Sequence, residues 1–306
     1  MDALQSFENL TGTQKNSKMR FMTHEHIERM SAISDAISEG RDLQVKAGWD
    51  QAATYFTTLL GELHMGEVAV LNERGFAYRM LGDYDAAEAD FIQARQIAQS
   101  TEDSEGELVA ITGLIDLART GEWAKKYVRG KDMAQAQVWR TEAEKVLSTM
   151  PADATIGKVN AYIQFGLLEH ELSNDKQAVQ TYEKAEEEIN LLLTGHPDDS
   201  SFRNRLTRIL TLKGNAQHAL GQYDDAIATE NEALKVYNQL GDVRGIVNAA
   251  LSLARIYRDK GDIKLAIDWY DKTMKASQRQ EGDQVVVIDP LMHEVAKKEL
   301  TELPPQ

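Results

Sequence analysis

His24 and His26, with Glu25 between them, are the side chains in this sequence that come nearest to a metal-binding pattern. Residues at i and i+2 do not share a helix face, and a metalloprotease helix needs its histidines four apart with Glu beside the first. The pair therefore reads as solvent-facing residues near a helix start. The other histidines stand singly, at His64, His170, His196, His218 and His293. No local His/Asp/Ser cluster is visible, although a triad assembled in space leaves no such trace. Phosphate chemistry would need a glycine-rich loop ending in Gly-Lys-Ser/Thr, and no such triplet exists. Paired carboxylates occur at Asp83 and Asp85 and at Asp224 and Asp225, but both pairs fall at expected helix starts, where they complement the helix dipole. The run Glu186-Glu187-Glu188 reads as a solvated helix face. The expectation is a chain with no catalytic residue, no metal and no cofactor.

Composition narrows the class further. With 306 residues, 42% hydrophobic and 27% charged, the chain is long and apolar enough to bury a core. It has no cysteine, which removes thiol catalysis, zinc-thiolate sites and a disulfide-stapled secreted fold. A formal charge of −15 repels a phosphate backbone, so bulk electrostatics disfavour nucleic acid as a partner. No stretch approaches 18 consecutive apolar residues, and the start lacks the basic and apolar regions of a signal peptide. The expected setting is cytoplasmic, with no membrane association.

What positions any function is a repeat. Gly75, Gly82, Ala87, Phe91 and Ala94 form a spaced set of small and aromatic residues. The spacing recurs as Gly214, Gly221, Ala226, Glu230, Ala233; as Ala254, Gly261, Ala266, Tyr270, Thr273; and, with serine in the turn, as Gly166, Ser173, Ala178, Tyr182, Ala185. A fainter copy is Gly40, Ala47, Ala52, Phe56, Leu59. Each feature suits a helix-turn-helix unit. The first small residue lets two helices approach, and the next glycine takes the left-handed conformation that ends a helix. Tyr84, Tyr223, Ile263 and Trp49 plug the turn, and the alanines admit the next unit around a large side chain.

These residues resemble the tetratricopeptide repeat family, with Gly75, Tyr78, Gly82, Tyr84, Ala87, Phe91 and Ala94 nearly a complete match to its signature. The resemblance covers approximately residues 24 to 280. It implies an all-α fold, a right-handed α-solenoid of helix-turn-helix repeats, in which about six hairpins occupy 24–283. Two departures stand out. The step from Ala52 to Ala87 is 35 residues, close to the family's 34, but Ala226 to Ala266 is 40 and Ala178 to Ala226 is 48. Longer helices and a loop over residues 195–201 account for the difference. From Ala87 to Ala178 there are 91 residues, room for one degenerate unit at 105–150 with helices over Glu105–Arg119 and Met133–Leu147. Between them, 120–132 carries Trp123 and Tyr127, as extra helical turns over the core or as a binding insertion on one rim.

Residues 1–23 read as a flexible segment and 284–306 as a capping segment with a terminal helix over Leu291–Leu300. A minor alternative for Val285–Ile288 is pairing with a partner's strand.

The resemblance also implies where a partner would bind. First helices line the inner surface in this family, and the positions facing it lie six and three residues before the small residue and one and four after it. They are Asn72 and Arg79 in the second unit; Arg208, Thr211, Asn215 and His218 in the fifth; and Asn248, Leu251, Arg255 and Arg258 in the sixth. Amides suit an extended peptide backbone and arginines suit carboxylates. The lysines of a carboxylate-clamping member are missing. The expected function is a scaffold, not an enzyme, binding a protein or peptide partner through a groove over 208–258, with an acidic segment favoured. Ordinary solvated positions with local ion pairs remain the competing account of these residues. Self-assembly into a homo-oligomer through the stacking ends is the second functional reading.

Overall fold

The computed structural model describes residues 35–42, 44, 48–62, 66–120, 131–281 and 284–303. Beyond a helical stretch over 35–42, the helices are α1 (Trp49–Glu62), α2 (Glu67–Leu81), α3 (Tyr84–Ser100), α4 (Ser104–Thr120), α5 (Met133–Thr149), α6 (Ile156–Glu171), α7 (Asp175–Gly195), α8 (Ser200–Ala219), α9 (Tyr223–Leu240), α10 (Val243–Lys260), α11 (Ile263–Ala276) and α12 (Pro290–Thr301). The architecture is an all-α solenoid of helical hairpins, with one small antiparallel pair of strands, β1 (Gln278–Glu281) and β2 (Gln284–Val287). The chain divides within α6 into two compact units, residues 1–164 and 165–306. The candidate flexible segment, the His24/His26 pair and most of the 120–132 insertion lie outside the described residues.

The hairpin turns share one hydrogen-bonding solution. After α2, Gly82 N–H donates to the Arg79 carbonyl at 3.1 Å and Asp83 N–H to the Tyr78 carbonyl at 2.9 Å. This paired closure needs a left-handed residue, and Gly82 supplies it with φ 79°. The turns after α8 and α10 repeat it at Gly221 and Gly261, and the turn after α6 repeats it with Ser173, held at φ 62°. Aspartates then start several second helices: Asp83 accepts from Ala86 N–H at 3.2 Å and Asp262 from Leu265 N–H at 3.2 Å. Asp199 caps α8, which begins at Ser200, inside the loop expected over residues 195–201.

In the first unit, Phe91 of α3 is fully buried between Gly75 of its own hairpin and Gly113 of the next first helix. A methyl on Gly75 would sit 2.8 Å from that ring, and one on Gly113 would sit 2.6 Å away, so both positions must stay small. Phe76 stacks edge-on against Phe91 at 5.0 Å, with Leu114, Leu117 and Trp139 in the same cluster. The degenerate unit is therefore a full hairpin, α4 and α5, joined to its predecessor by the Phe91 plug. Glu105 of α4 reaches forward and accepts the Gly157 N–H at 2.7 Å, capping the start of α6 from a neighbouring helix.

In the second unit, Tyr182 and Tyr270 fill the positions matching Phe91. The last described helix, α12, buries Ala296 against Leu251, Ala254, Ala266 and Tyr270, so it lies on α10 and α11 as α4 lies on α2 and α3. The Val285–Ile288 strip is within the chain's own hairpin for most of its length, β2 pairing with β1 in the register Arg279 to Val286.

Candidate partner-binding face

α8 places Arg208, Thr211, Asn215 and His218 on one face, because steps of three and four residues return to the same side of a helix. α10 does the same for Asn248, Leu251, Arg255 and Arg258. His218 joins the two faces, its Nε2 lying 2.9 Å from Asp259 of α10. Within the second unit the two polar rows are thus neighbours.

Their side chains differ in how they are occupied. Arg208, Asn215 and Asn248 are exposed, and Thr211 is half-buried with its hydroxyl 3.3 Å from Tyr237. Neither Asn215 nor Asn248 is hydrogen-bonded through its side chain among the described residues. Beside this row is an open hollow of about 410 Å³, lined by Asn204, Arg208 and Thr211 of α8, Tyr237 of α9 and Asp242. Asp242 spends one oxygen on the Gly245 N–H at 3.0 Å, starting α10.

Arg255 and Arg258 are taken by the chain itself. Arg255 forks onto Glu299 of α12, with Nε 3.1 and 3.0 Å from the two carboxylate oxygens. Tyr270 donates its hydroxyl to the same group at 3.0 Å, and Arg258 Nη1 approaches at 3.5 Å while its Nε donates to Asp259 at 2.7 Å. The Arg255 guanidinium holds the Glu299 carboxyl below the usual range, and Arg258 does so for Asp259. Burial, helped by the bond to Glu299, pushes the Tyr270 phenol up to about 12. Lowered carboxyl values mean that this network stabilises the fold above the ordinary carboxylate pKa and is lost as pH falls through the folded values.

In the first unit, Asn72 lies inside the packing, 3% exposed, its amide donating to the Gly106 carbonyl at 3.2 Å and its Oδ1 buried without a partner among the described residues. Arg79 pairs with Asp116, which also accepts from Arg119 at 2.8 Å. Of the expected partner-facing residues, Asn72, Arg79, Thr211, His218, Arg255 and Arg258 are therefore engaged between helices, while Arg208, Asn215 and Asn248 lie exposed on their helix faces. Ion pairs with other residues of the chain hold Arg79, His218, Arg255 and Arg258, and packing holds Asn72.

The acidic partners of that set, Asp116, Asp259 and Glu299, were not anticipated, yet a signal for them exists. A cation four residues after the small residue meets a carboxylate three to five residues after the small residue of the following first helix, as in Arg79 with Asp116 and Arg258 with Glu299. Like charges in this register would repel, so the alternation is readable once the repeats are aligned. Among the described residues, no group of three or more His, Asp or Glu could hold a metal ion, and no helix is long and apolar enough to cross a membrane.

The fold is shared with known proteins. Tetratricopeptide repeat profiles match residues 68–103 and 205–279. No curated protein matches the sequence. Among solved structures, BtubC (BKLC) from P. vanneervenii superposes with a TM-score of 0.58 at 15% identity, over 78% of this chain and 96% of that one. A signal transduction ATPase with numerous domains, carrying a tetratricopeptide repeat sensor, from Pyrococcus horikoshii gives 0.63 at 15% identity over 93% of this chain. A chain of the APC/C hetero-tetramer Cut9-Hcn1 gives 0.55 at 14% over 87%. This chain spans 37% of the ATPase and 45% of the matched hetero-tetramer chain. The matched profiles show that the chain carries tetratricopeptide repeats over residues 68–103 and 205–279, and the solved structures show that it shares their helical fold.

Proposed function

We propose that this protein is a non-catalytic scaffold of the cytoplasm whose second unit binds an extended segment of a partner protein along α8 and α10. The observation that carries the reading is the row of Arg208, Thr211, Asn215 and Asn248, exposed or half-buried on adjoining helix faces beside an open hollow. An extended peptide presents alternating N–H and C=O groups, and a carboxamide matches both at once. Arg208 adds a site for a carboxylate on that peptide. Because Arg255 and Arg258 already hold Glu299, the amides carry most of the recognition. The repeat region of the ATPase neighbour is described as a sensor, and Cut9 assembles with Hcn1 in a hetero-tetramer; both uses of this fold support a partner-binding role here.

An array of overlapping acidic and neutral peptides tests the reading. Wild type should retain a subset that Asn215→Ala/Asn248→Ala loses, with Arg208→Glu losing the acidic members first. Equal retention by all three proteins would remove the α8–α10 face as the binding site.

A second reading, self-association, is favoured by the exposed apolar run Val286, Val287 and Ile288, continued by Leu291 at 67% exposure. Light scattering over a concentration series distinguishes it. Growth in mass with concentration, abolished by Val286→Lys, supports it, and a constant monomer mass excludes it.

A further inference from the structure

Glu230 occupies the position that Phe56, Phe91, Tyr182 and Tyr270 fill in other hairpins, sixteen residues after the small residue of the first helix. All five side chains are 0% exposed, but only Glu230 carries a carboxyl group. Both of its carboxyl oxygens are buried without a hydrogen-bond partner among the described residues. One of them lies 2.9 Å from where a methyl on Gly214 would stand, so the group packs directly against the glycine of α8. An unpartnered carboxylate in such a place is costly, and the site tolerates the group by keeping it neutral.

Its surroundings offer no counter-charge. One turn to either side on α9 are the buried Ala226 and Ala233. On α8, Lys213 is paired with Glu186 and His218 with Asp259, while the neighbouring Gln217 accepts from Thr229 at 2.9 Å. On α10, Arg255 and Arg258 are directed to Glu299 and Asp259. Burial alone raises the acid, to about 8, and no neighbouring charge contributes.

We propose that Glu230 makes the α8–α9 hairpin a pH-sensitive joint: closed while the side chain is protonated, and opening when the carboxylate must reach water. The joint lies directly beneath the partner-binding face, because Thr211 and Asn215 flank Gly214 and the Thr211–Tyr237 contact bridges α8 to α9. Opening therefore separates the helix that bears the face from its support. The inference concerns the hairpin alone and holds whether or not the face binds a peptide.

The direction follows from linkage. The folded state retains a proton that the open state releases at an ordinary glutamate value, so stability is full below about pH 4.5 and lost as pH rises through the folded value of about 8. Within that window the opening constant grows about tenfold per pH unit and then levels off. The test is hydrogen exchange on the full-length protein at pH 6 and pH 8, corrected for the intrinsic rate. Amides of α8 and α9 should lose protection on the order of a hundredfold, with α2 and α3 unchanged. Glu230→Gln, which keeps the shape and cannot ionise, should abolish the difference. Should that variant not fold, the regional contrast within wild type decides. An α8–α9 protection that is independent of pH, or that changes equally in wild type and Glu230→Gln, overturns the proposal.

Discussion

The α2–α3 and α8–α9 hairpins are built on the same spacing, and of its five small and aromatic positions one differs, Phe91 against Glu230. In the first, Phe91 is clasped by Gly75 and Gly113 and stacks on Phe76; in the second, Glu230 meets Gly214 with both oxygens unpartnered. The outer faces differ in the same direction. Asn72 is drawn into the packing and tied to Gly106, whereas Thr211, its counterpart three residues before the small residue, is half-buried beside an open hollow. One hairpin is filled for stability. The other gives up interior packing beneath a face that carries the exposed Arg208 and Asn215. Stability and exposure thus fall in different hairpins of one repeat design.

Substitutions at the matching interior positions should break this contrast most sharply. Phe91→Ala removes a wholly buried ring shared by two hairpins and should cost about 3–5 kcal/mol in chemical denaturation. At the equivalent site Glu230→Leu should act with the opposite sign, raising stability by about 1–3 kcal/mol by removing an unpartnered polar group. The gain should be larger at pH 8 than at pH 5, where the wild-type carboxyl is already neutral. The next effect is smaller and sits in the turns. Ser173 holds the left-handed conformation that glycine takes in the matching turns, so Ser173→Gly should stabilise by about 0.5–1 kcal/mol, seen as a raised Tm. The smallest change in stability, within about 0.5 kcal/mol, is expected for Asn215→Ala/Asn248→Ala, because both side chains are exposed. Were that variant strongly destabilised, the two amides would be structural and the contrast between the hairpins would fail.

The repeat was legible in the sequence because its residues do repeated physical work. Glycine or alanine must face a ring, a left-handed residue must close the turn, and each requirement leaves one residue type at a fixed step. Even the degenerate unit could be read, its helices over Glu105–Arg119 and Met133–Leu147 differing by one or two residues from the observed Ser104–Thr120 and Met133–Thr149. Register also placed Arg208, Thr211, Asn215 and Asn248 on their helix faces. It could not show which cations were engaged. Arg255 and Glu299 are 44 residues apart, and their pairing depends on how α12 is seated by Ala296 and Tyr270. Asn72 illustrates the same limit, since its place on the helix was right and its burial followed from the close approach of α4. Glu230 was visible as the odd member of its column, but its lack of partners is a property of packing.

The central claim, that the face of α8 and α10 holds an extended partner segment, is tested most directly by selecting peptides from a random library on the wild-type protein and measuring the Kd of the best binder against Asn215→Ala/Asn248→Ala. Loss of two amide contacts should weaken binding about tenfold or more, with the variant's Tm unchanged. An unchanged Kd, or a library that yields no binder, would contradict the account.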